Sequence, residues 1–307
     1  MTQESSEADN SEQHLVLPDG TPATTHGGLT AREDARLTED KRAVPVIIKR
    51  TDEAIRHPDD TLEHAIEEGL EQLNRPLLSL LLSSLAAGLV VGFSAMAVGV
   101  VTSLTADSSP LVTRLLQAAV YPLGFVVCVM SGAQLFTEHT ATAVYPILDR
   151  KASTRQLLRL WAAVVAGNIT GAFIVASMLT MAESVIHAHD GYMVIGHHLL
   201  APSSPALLMS AILAGWLMAM GAWLVLSTPP DISQIAAIYL ATFLIGLGGL
   251  HHSIAGSAEI FLAAYADPTV EILDIARFIS IALAGNLIGG SLFVGILNYG
   301  HIRKTQS

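Results

Sequence analysis

The sequence predicts an all-α integral membrane protein with six transmembrane helices in an inverted 3+3 repeat, the second and fifth of them broken. Three observations lead there. Of 307 residues, 51% are hydrophobic and only 14% are charged, whereas soluble domains carry roughly 25% charged residues. Six hydrophobic segments, at about 76–104, 115–147, 160–182, 205–227, 232–265 and 278–299, each reach the roughly 20 residues a helix needs to cross the hydrocarbon core. A short motif also recurs, Gly167-Asn168-Ile-Thr-Gly171 in the third segment and Gly285-Asn286-Leu-Ile-Gly289 in the sixth, 118 residues apart.

Ahead of the segments, residues 1–58 are polar and acidic with no sustained periodicity, which predicts a disordered tail. Residues 1–75 hold 17 of the 27 acids and 8 of the 16 bases. The net charge of −11 therefore belongs mostly to this region, and it argues against a nucleic-acid partner. An amphipathic helix is expected over 59–75, with Asp60 as its cap and Glu63 completing a capping box. Leu62, Ile66, Leu70 and Leu73 share one face, to lie on the membrane surface or against the bundle. The six-helix domain then occupies 76–303. The N-terminus has no basic start followed by an apolar stretch, so no cleaved signal peptide is expected.

Orientation follows from Lys and Arg in short loops. Arg150, Lys151, Arg155 and Arg159 lie between segments two and three, none lies in 183–204, and Arg303 and Lys304 follow segment six. This predicts a multi-pass protein of the plasma (inner) membrane with both termini cytoplasmic. A three-helix unit repeated once enters the membrane with opposite polarity the second time, and such repeats place the permeation path between them near the midplane. The offset of 118 carries His251-His252 onto Ala133-Gln134, inside the polar stretch of segment two.

That stretch reads Ser131-Gly132-Ala133-Gln134-Leu135-Phe136-Thr137-Glu138-His139, and segment five reads Gly246-Leu-Gly248-Gly249-Leu250-His251-His252-Ser253. Polar residues and glycines at membrane depth are tolerated where irregular backbone lines a cavity or is buried in protein. Both segments should therefore break. Burying an ionisable group is costly, so His252 is read as functional in preference to a satisfied core imidazole, and His251 as a weaker candidate. Glu138 and His139 fall near a segment end, and Glu259 is a second unexplained acid. His187, His189, His197 and His198 match no closed ligand spacing and are read as a solvated loop. Cys128 is the single cysteine, which excludes an intrachain disulfide. No metal, cofactor or nucleophile–base pair is expected, and the chain is not read as an enzyme.

The strings Gly132-Ala-Gln-Leu-Phe-Thr137, His252-Ser-Ile-Ala255, Gly167-Asn168 and Gly285-Asn286 resemble the formate/nitrite transporter family over about residues 60–303. The resemblance implies an aquaporin-like six-helix protomer, assembled as a homopentamer with one pore per protomer. It implies that Thr137 is a loop threonine facing a central histidine, His252, between two apolar constrictions. Leu135, Tyr121, Phe125 and Ile245 match constriction positions, and Gln134 and His251 adjoin the path. Three departures stand out, all expected close to the pore. His251 occupies a position where glutamate is common, Gly256 one where asparagine is common, and Gly215, followed by Trp216, another asparagine position.

The chemistry expected of such a pore is passage of a small monovalent anion of a weak acid, with protons, through the lipid bilayer. A bare anion at an apolar constriction loses far more solvation than the neutral acid does. Competing readings are a neutral-solute channel, which should carry paired Asn-Pro-Ala half-helices that do not occur here, and an ammonium channel, which needs about eleven helices. A non-transporting sensor or scaffold that binds a partner through its acidic tail is the fourth.

Overall fold

The computed structural model describes residues 58–229 and 232–305; the predicted tail, 1–57, lies outside the described residues. Helix α1 runs Pro58–Asn74. It starts two residues before the expected cap, because proline suits the first helical position. Asp60 is therefore not the cap but lies with Asp59 in the first turn, where carboxylates complement the helix dipole. Leu62, Ile66 and Leu73 are buried as expected. Leu62 and Ile66 pack with Ala141, Tyr145, Ala219 and Val294, so the helix lies against the bundle.

Next come α2 (Leu77–Leu104), α3 (Pro110–Val120) and α4 (Pro122–Met130). Pro122 brings no N–H at the α3–α4 junction, and Ser94 on α2 serves the backbone there. Its Oγ donates to Tyr121 O at 2.7 Å and accepts from Gly124 N at 3.0 Å. Past α4 the chain is irregular to Glu138, then forms two short turns, α5 (His139–Thr142) and α6 (Tyr145–Leu148). Helix α7 covers Thr154–Met181. It begins six residues before the apolar run, because Ser153 and Gln156 close a capping box and the end carries Arg155 and Arg159 as a charged first turn.

The stretch 183–204, expected as a solvated loop, is instead largely helical: α8 (Glu183–Ile186) and α9 (His189–Leu200). Tyr192 on α9 packs with Ala95, Ala176, Ala258 and Leu262, which explains the order. Helices α10 (Ser204–Ser227), α11 (Ile232–Gly248), α12 (Ser253–Ala266) and α13 (Ile272–Ile288) follow, then a π-helical stretch Gly289–Ile296 and α14 (Leu297–Thr305). Among the described residues, five helical stretches are long and apolar enough to cross a membrane, and α11 with α12, bent by 49°, make a sixth if counted as one span.

Close crossings bring α2 against α7 and α10 against α13. A Cβ on Gly88 of α2 would lie 2.2 Å from Asn168 O of α7, and one on Gly215 of α10 would lie 2.3 Å from Asn286 O of α13. Gly215, expected beside the pore, thus belongs to a helix contact. Gly256 has the same kind of reason: a Cβ there would meet the Phe278 ring at 2.5 Å.

The two breaks are built alike. At Gly132 (φ +68°) and Gly249 (φ +58°) the chain turns left-handed, a conformation natural to glycine. Gly132 N donates to Val129 O and Ala133 N to Cys128 O, while Gly249 N donates to Gly246 O and Leu250 N to Ile245 O. Each set is the 5→2 and 6→1 pair of a Schellman C-cap. The helices end here because glycine permits the cap.

Candidate functional site

Two asparagines clamp the chain just beyond these caps. Asn168 Oδ1 accepts from Phe136 N at 2.9 Å, and its Nδ2 donates to Gln134 O at 2.8 Å and to Ser84 O at 2.7 Å. Asn286 Oδ1 accepts from Ser253 N at 2.7 Å, and its Nδ2 donates to His251 O at 3.0 Å and to Ala211 O at 2.8 Å. Irregular backbone at membrane depth needs such internal partners. The residue held between the clamped groups is Leu135 in one case and His252 in the other. The counterpart of His251-His252 is therefore Gln134-Leu135, one residue on from the pair given by the offset of 118. Gly167 and Gly285 sit beside the clamps at close helix contacts: a Cβ on Gly167 would strike Ser84, and one on Gly285 would come within 2.5 Å of Ala211 Cβ.

His252 is the N-cap of α12. Its Nδ1 accepts from Ile254 N and Ala255 N, both at 3.2 Å, so a neutral ring carries its hydrogen on Nε2. Nε2 lies 2.8 Å from Thr137 Oγ1. With Nε2–H as donor, Thr137 Oγ1 accepts and keeps its own hydrogen to offer elsewhere. Phe125 stands edge-on to the imidazole, ring centroids 4.9 Å apart, and Tyr121 lies 5.2 Å from Phe125. Thr137, Leu135, Phe125 and Ile245 are fully buried, as is His252 at 1% exposure.

Cavities approach this sealed cluster from two directions. One, of about 190 Å³, is lined by Tyr121 and Ile245 together with Arg114, Gln117, His198 and Glu259. On the Glu138 side, a cavity of about 240 Å³ takes in Glu68, Glu138, His139 and Gln234, and an adjoining one of about 130 Å³ adds Arg75 and Gln134. Neither Thr137 nor His252 lines any of them. The polar pair lies between residues that do: Phe125 links His252 to Tyr121 on one side, and Glu138 follows Thr137 on the other.

Of the residues singled out from the sequence, Thr137, His252, Phe125 and Tyr121 come together. His251 does not join them. Its Nδ1 lies 2.7 Å from Ser210 Oγ on α10, and its ring faces Phe278 at 5.9 Å. Phe278 is the same ring that fills the space over Gly256, so two of the three departures from the family pattern share one neighbour. Gln134 is clamped through its carbonyl, and its Oε1 has no hydrogen-bond partner among the described residues. Sequence reasoning missed Ser210 and the clamping role of the asparagines; the Gly-Asn doublets were the available signal for the latter. Among the described residues no group of three His, Cys, Asp or Glu side chains is placed to hold a metal ion. Of the four histidines between α7 and α10, His197 bonds Asp267 at 2.6 Å. That bond and two from Thr269 hold the Asp267 carboxyl down to about 2.

The family model described as formate/nitrite transporter matches residues 59–300. The chain is 32% identical over 249 residues to the inner membrane protein YfdC of Escherichia coli (strain K12), covering 80% of this chain and 79% of that protein. In fold it is similar to a structure described as an FNT family ion channel, with a TM-score of 0.73 at 19% identity, covering 79% of this chain and 99% of that one. A second similar fold is a pentameric formate channel with formate bound, with a TM-score of 0.63 at 24% identity, covering 74% and 98%. The chain is a membrane protein belonging to the formate/nitrite transporter family, a family of transporters and channels and not of enzymes.

Proposed function

We propose that the protein is a pore for a small monovalent anion of a weak acid, such as formate or nitrite, with Thr137 and His252 at its narrowest point. The observation that carries this reading is the 2.8 Å Thr137–His252 pair, buried among apolar side chains with cavities of about 190 and 240 Å³ on either side. A bare anion entering that cluster would lose its hydration without a compensating charge, whereas the neutral acid would lose little. Passage therefore occurs as the neutral acid or as an anion–proton pair, with the Thr137 hydroxyl donating to the substrate.

The architecture we assign is six spans in an inverted 3+3 repeat, with α3–α4 and α11–α12 as the broken second and fifth. The matched Schellman caps and the matched asparagine clamps support it, because each breaks one membrane segment and ties it to the third helix of its own half. The basic loop 150–159 supports cytoplasmic termini. Arg159 Nη2 donates to Arg75 O at 3.0 Å, which puts the Glu138 cavities at that cytoplasmic end. The residues before α1 are then cytoplasmic as well. Assembly as a homopentamer follows the pentameric formate channel of similar fold. The exposed apolar side chains of Leu82, Phe93, Leu123 and Val127 suit lipid or neighbouring protomers.

The test is a panel of osmotic swelling assays on purified protein in liposomes, with formate, nitrite, hydrosulfide and acetate. Protein-dependent swelling with at least one of these anions is expected. Swelling with glycerol and none of the anions would overturn the reading in favour of a neutral-solute channel.

A further inference from the structure

We propose that Glu138 and Glu259 are proton-exchanging groups, one at each approach to the Thr137–His252 pair, so that the permeating acid is protonated and deprotonated by these carboxyls and not by the central histidine. The inference rests on the pore reading above and deepens it.

The histidine is poorly arranged for the task. Its Nδ1 accepts two backbone N–H groups at the start of α12 and its Nε2 is engaged with Thr137. A ring protonated on both nitrogens would turn a third N–H toward two others and break the cap. The carboxyls are differently placed. Glu138 is the residue after Thr137 and lines both cavities on its side. Glu259 lies seven residues past His252 on α12, two turns along the same face and about 10 Å up the axis. It is only 7% exposed and it lines the opposite cavity. Neither side chain makes a hydrogen bond or ion pair with the described residues. A carboxyl without a protein partner that opens onto a cavity inside a membrane-spanning bundle marks an ion or proton path.

The groups facing each acid are these. Around Glu138 stand Glu68 and Arg75 on α1, the neighbouring His139, and the Cys128 thiol on α4. Around Glu259 stand Arg114 on α3, His198 on α9 and the Tyr121 hydroxyl. Each side thus holds an arginine, Arg75 or Arg114, to draw an anion in and an acid to protonate it.

The transfer balances. The protonated carboxyl on the side of arrival gives its proton to the anion, leaving a carboxylate and the neutral acid. The neutral acid crosses the apolar cluster. The carboxylate on the far side takes the proton, releasing the anion, and both acids then re-equilibrate with cavity water.

The experiment follows formate uptake and luminal acidification together in proteoliposomes, with external pH stepped from 8 to 5. Glu138→Gln and Glu259→Gln should each slow uptake by about tenfold or more at neutral pH. The deficit should shrink at low pH, where the free acid is abundant. Glu138→Asp and Glu259→Asp, which keep the carboxyl, should recover most of the rate. Gln variants that match the wild type at every pH would overturn the inference and leave the pore reading standing. Asp and Gln variants equally slow at every pH would also overturn it, since the loss would then be structural. A wild-type protein that passes none of the four anions would overturn the pore reading itself.

Discussion

Asn286 fixes His252 without touching its ring. The asparagine accepts from Ser253 N and donates to His251 O, gripping the main chain on both sides of the histidine, and Asn168 does the same on both sides of Leu135. Asn286→Leu removes three buried hydrogen bonds and leaves Ser253 N and His251 O without these partners. At about 1–3 kcal/mol for each group left unpaired, the variant should melt well below the wild type and lose flux. Asn286→Asp keeps the acceptor but turns an oxygen toward His251 O and Ala211 O and buries an acid, so it should melt no higher than Asn286→Leu. Thermal unfolding of the purified protein, followed by intrinsic fluorescence, checks the order.

Thr137→Val keeps the shape of the side chain and removes the hydrogen-bond partner of His252 Nε2. The loss of a buried hydrogen bond predicts a decrease of about 1–3 kcal/mol in the stability of that arrangement. Anion flux should fall by about tenfold or more with the oligomer intact, since 1.4 kcal/mol corresponds to about a factor of ten. Flux assays beside size-exclusion profiles separate the two effects.

Gly215→Ala places a methyl group 2.3 Å from Asn286 O. The α10–α13 crossing has no flexible atom to yield there, so the helices must separate and strain the clamp behind His252. Overpacking of this kind costs about 1–3 kcal/mol. A lowered melting temperature together with reduced flux is expected, whereas Gly300→Ala, where a Cβ meets nothing within 4 Å, should change neither.

The Asp267–His197 contact gives a pH signature. Asp267 is held down to about 2, chiefly by the bond from His197 and then by those from Thr269. A depressed carboxyl contributes stability that is fully present above its unfolded value near 3.9 and is lost as pH falls through the folded value. Between about pH 4 and pH 2 the wild type should therefore lose stability more steeply than Asp267→Asn. Hydrogen exchange at the C-terminal turn of α12 reads the difference.

Much of this was legible in the sequence, for identifiable reasons. Gly132 and Gly249 mark helix ends because the left-handed backbone there needs glycine, and the Gly-Asn doublets mark the helices that support the breaks. Thr137 and His252 stood out because polar side chains at membrane depth demand partners. Other features were hidden by long-range packing. The start of α7 at Thr154 looks like loop because Arg155 and Arg159 interrupt the apolar pattern. The helix His189–Leu200 is held by tertiary contacts that local composition does not report. His251 adjoins His252 in sequence, yet successive side chains diverge, and its Nδ1 lies 2.7 Å from Ser210 Oγ. The one-residue register between the breaks depends on loop geometry, which spacing alone does not carry.

The most direct test of the central claim replaces His252 by asparagine. Asparagine can still cap α12, so the fold should persist, but it cannot reach Thr137 as the imidazole does. Initial formate uptake into proteoliposomes should fall by about tenfold or more relative to wild type, with the same oligomer on size exclusion. Uptake unchanged in rate and in pH dependence would contradict the placing of the Thr137–His252 pair at the narrowest point of the pathway.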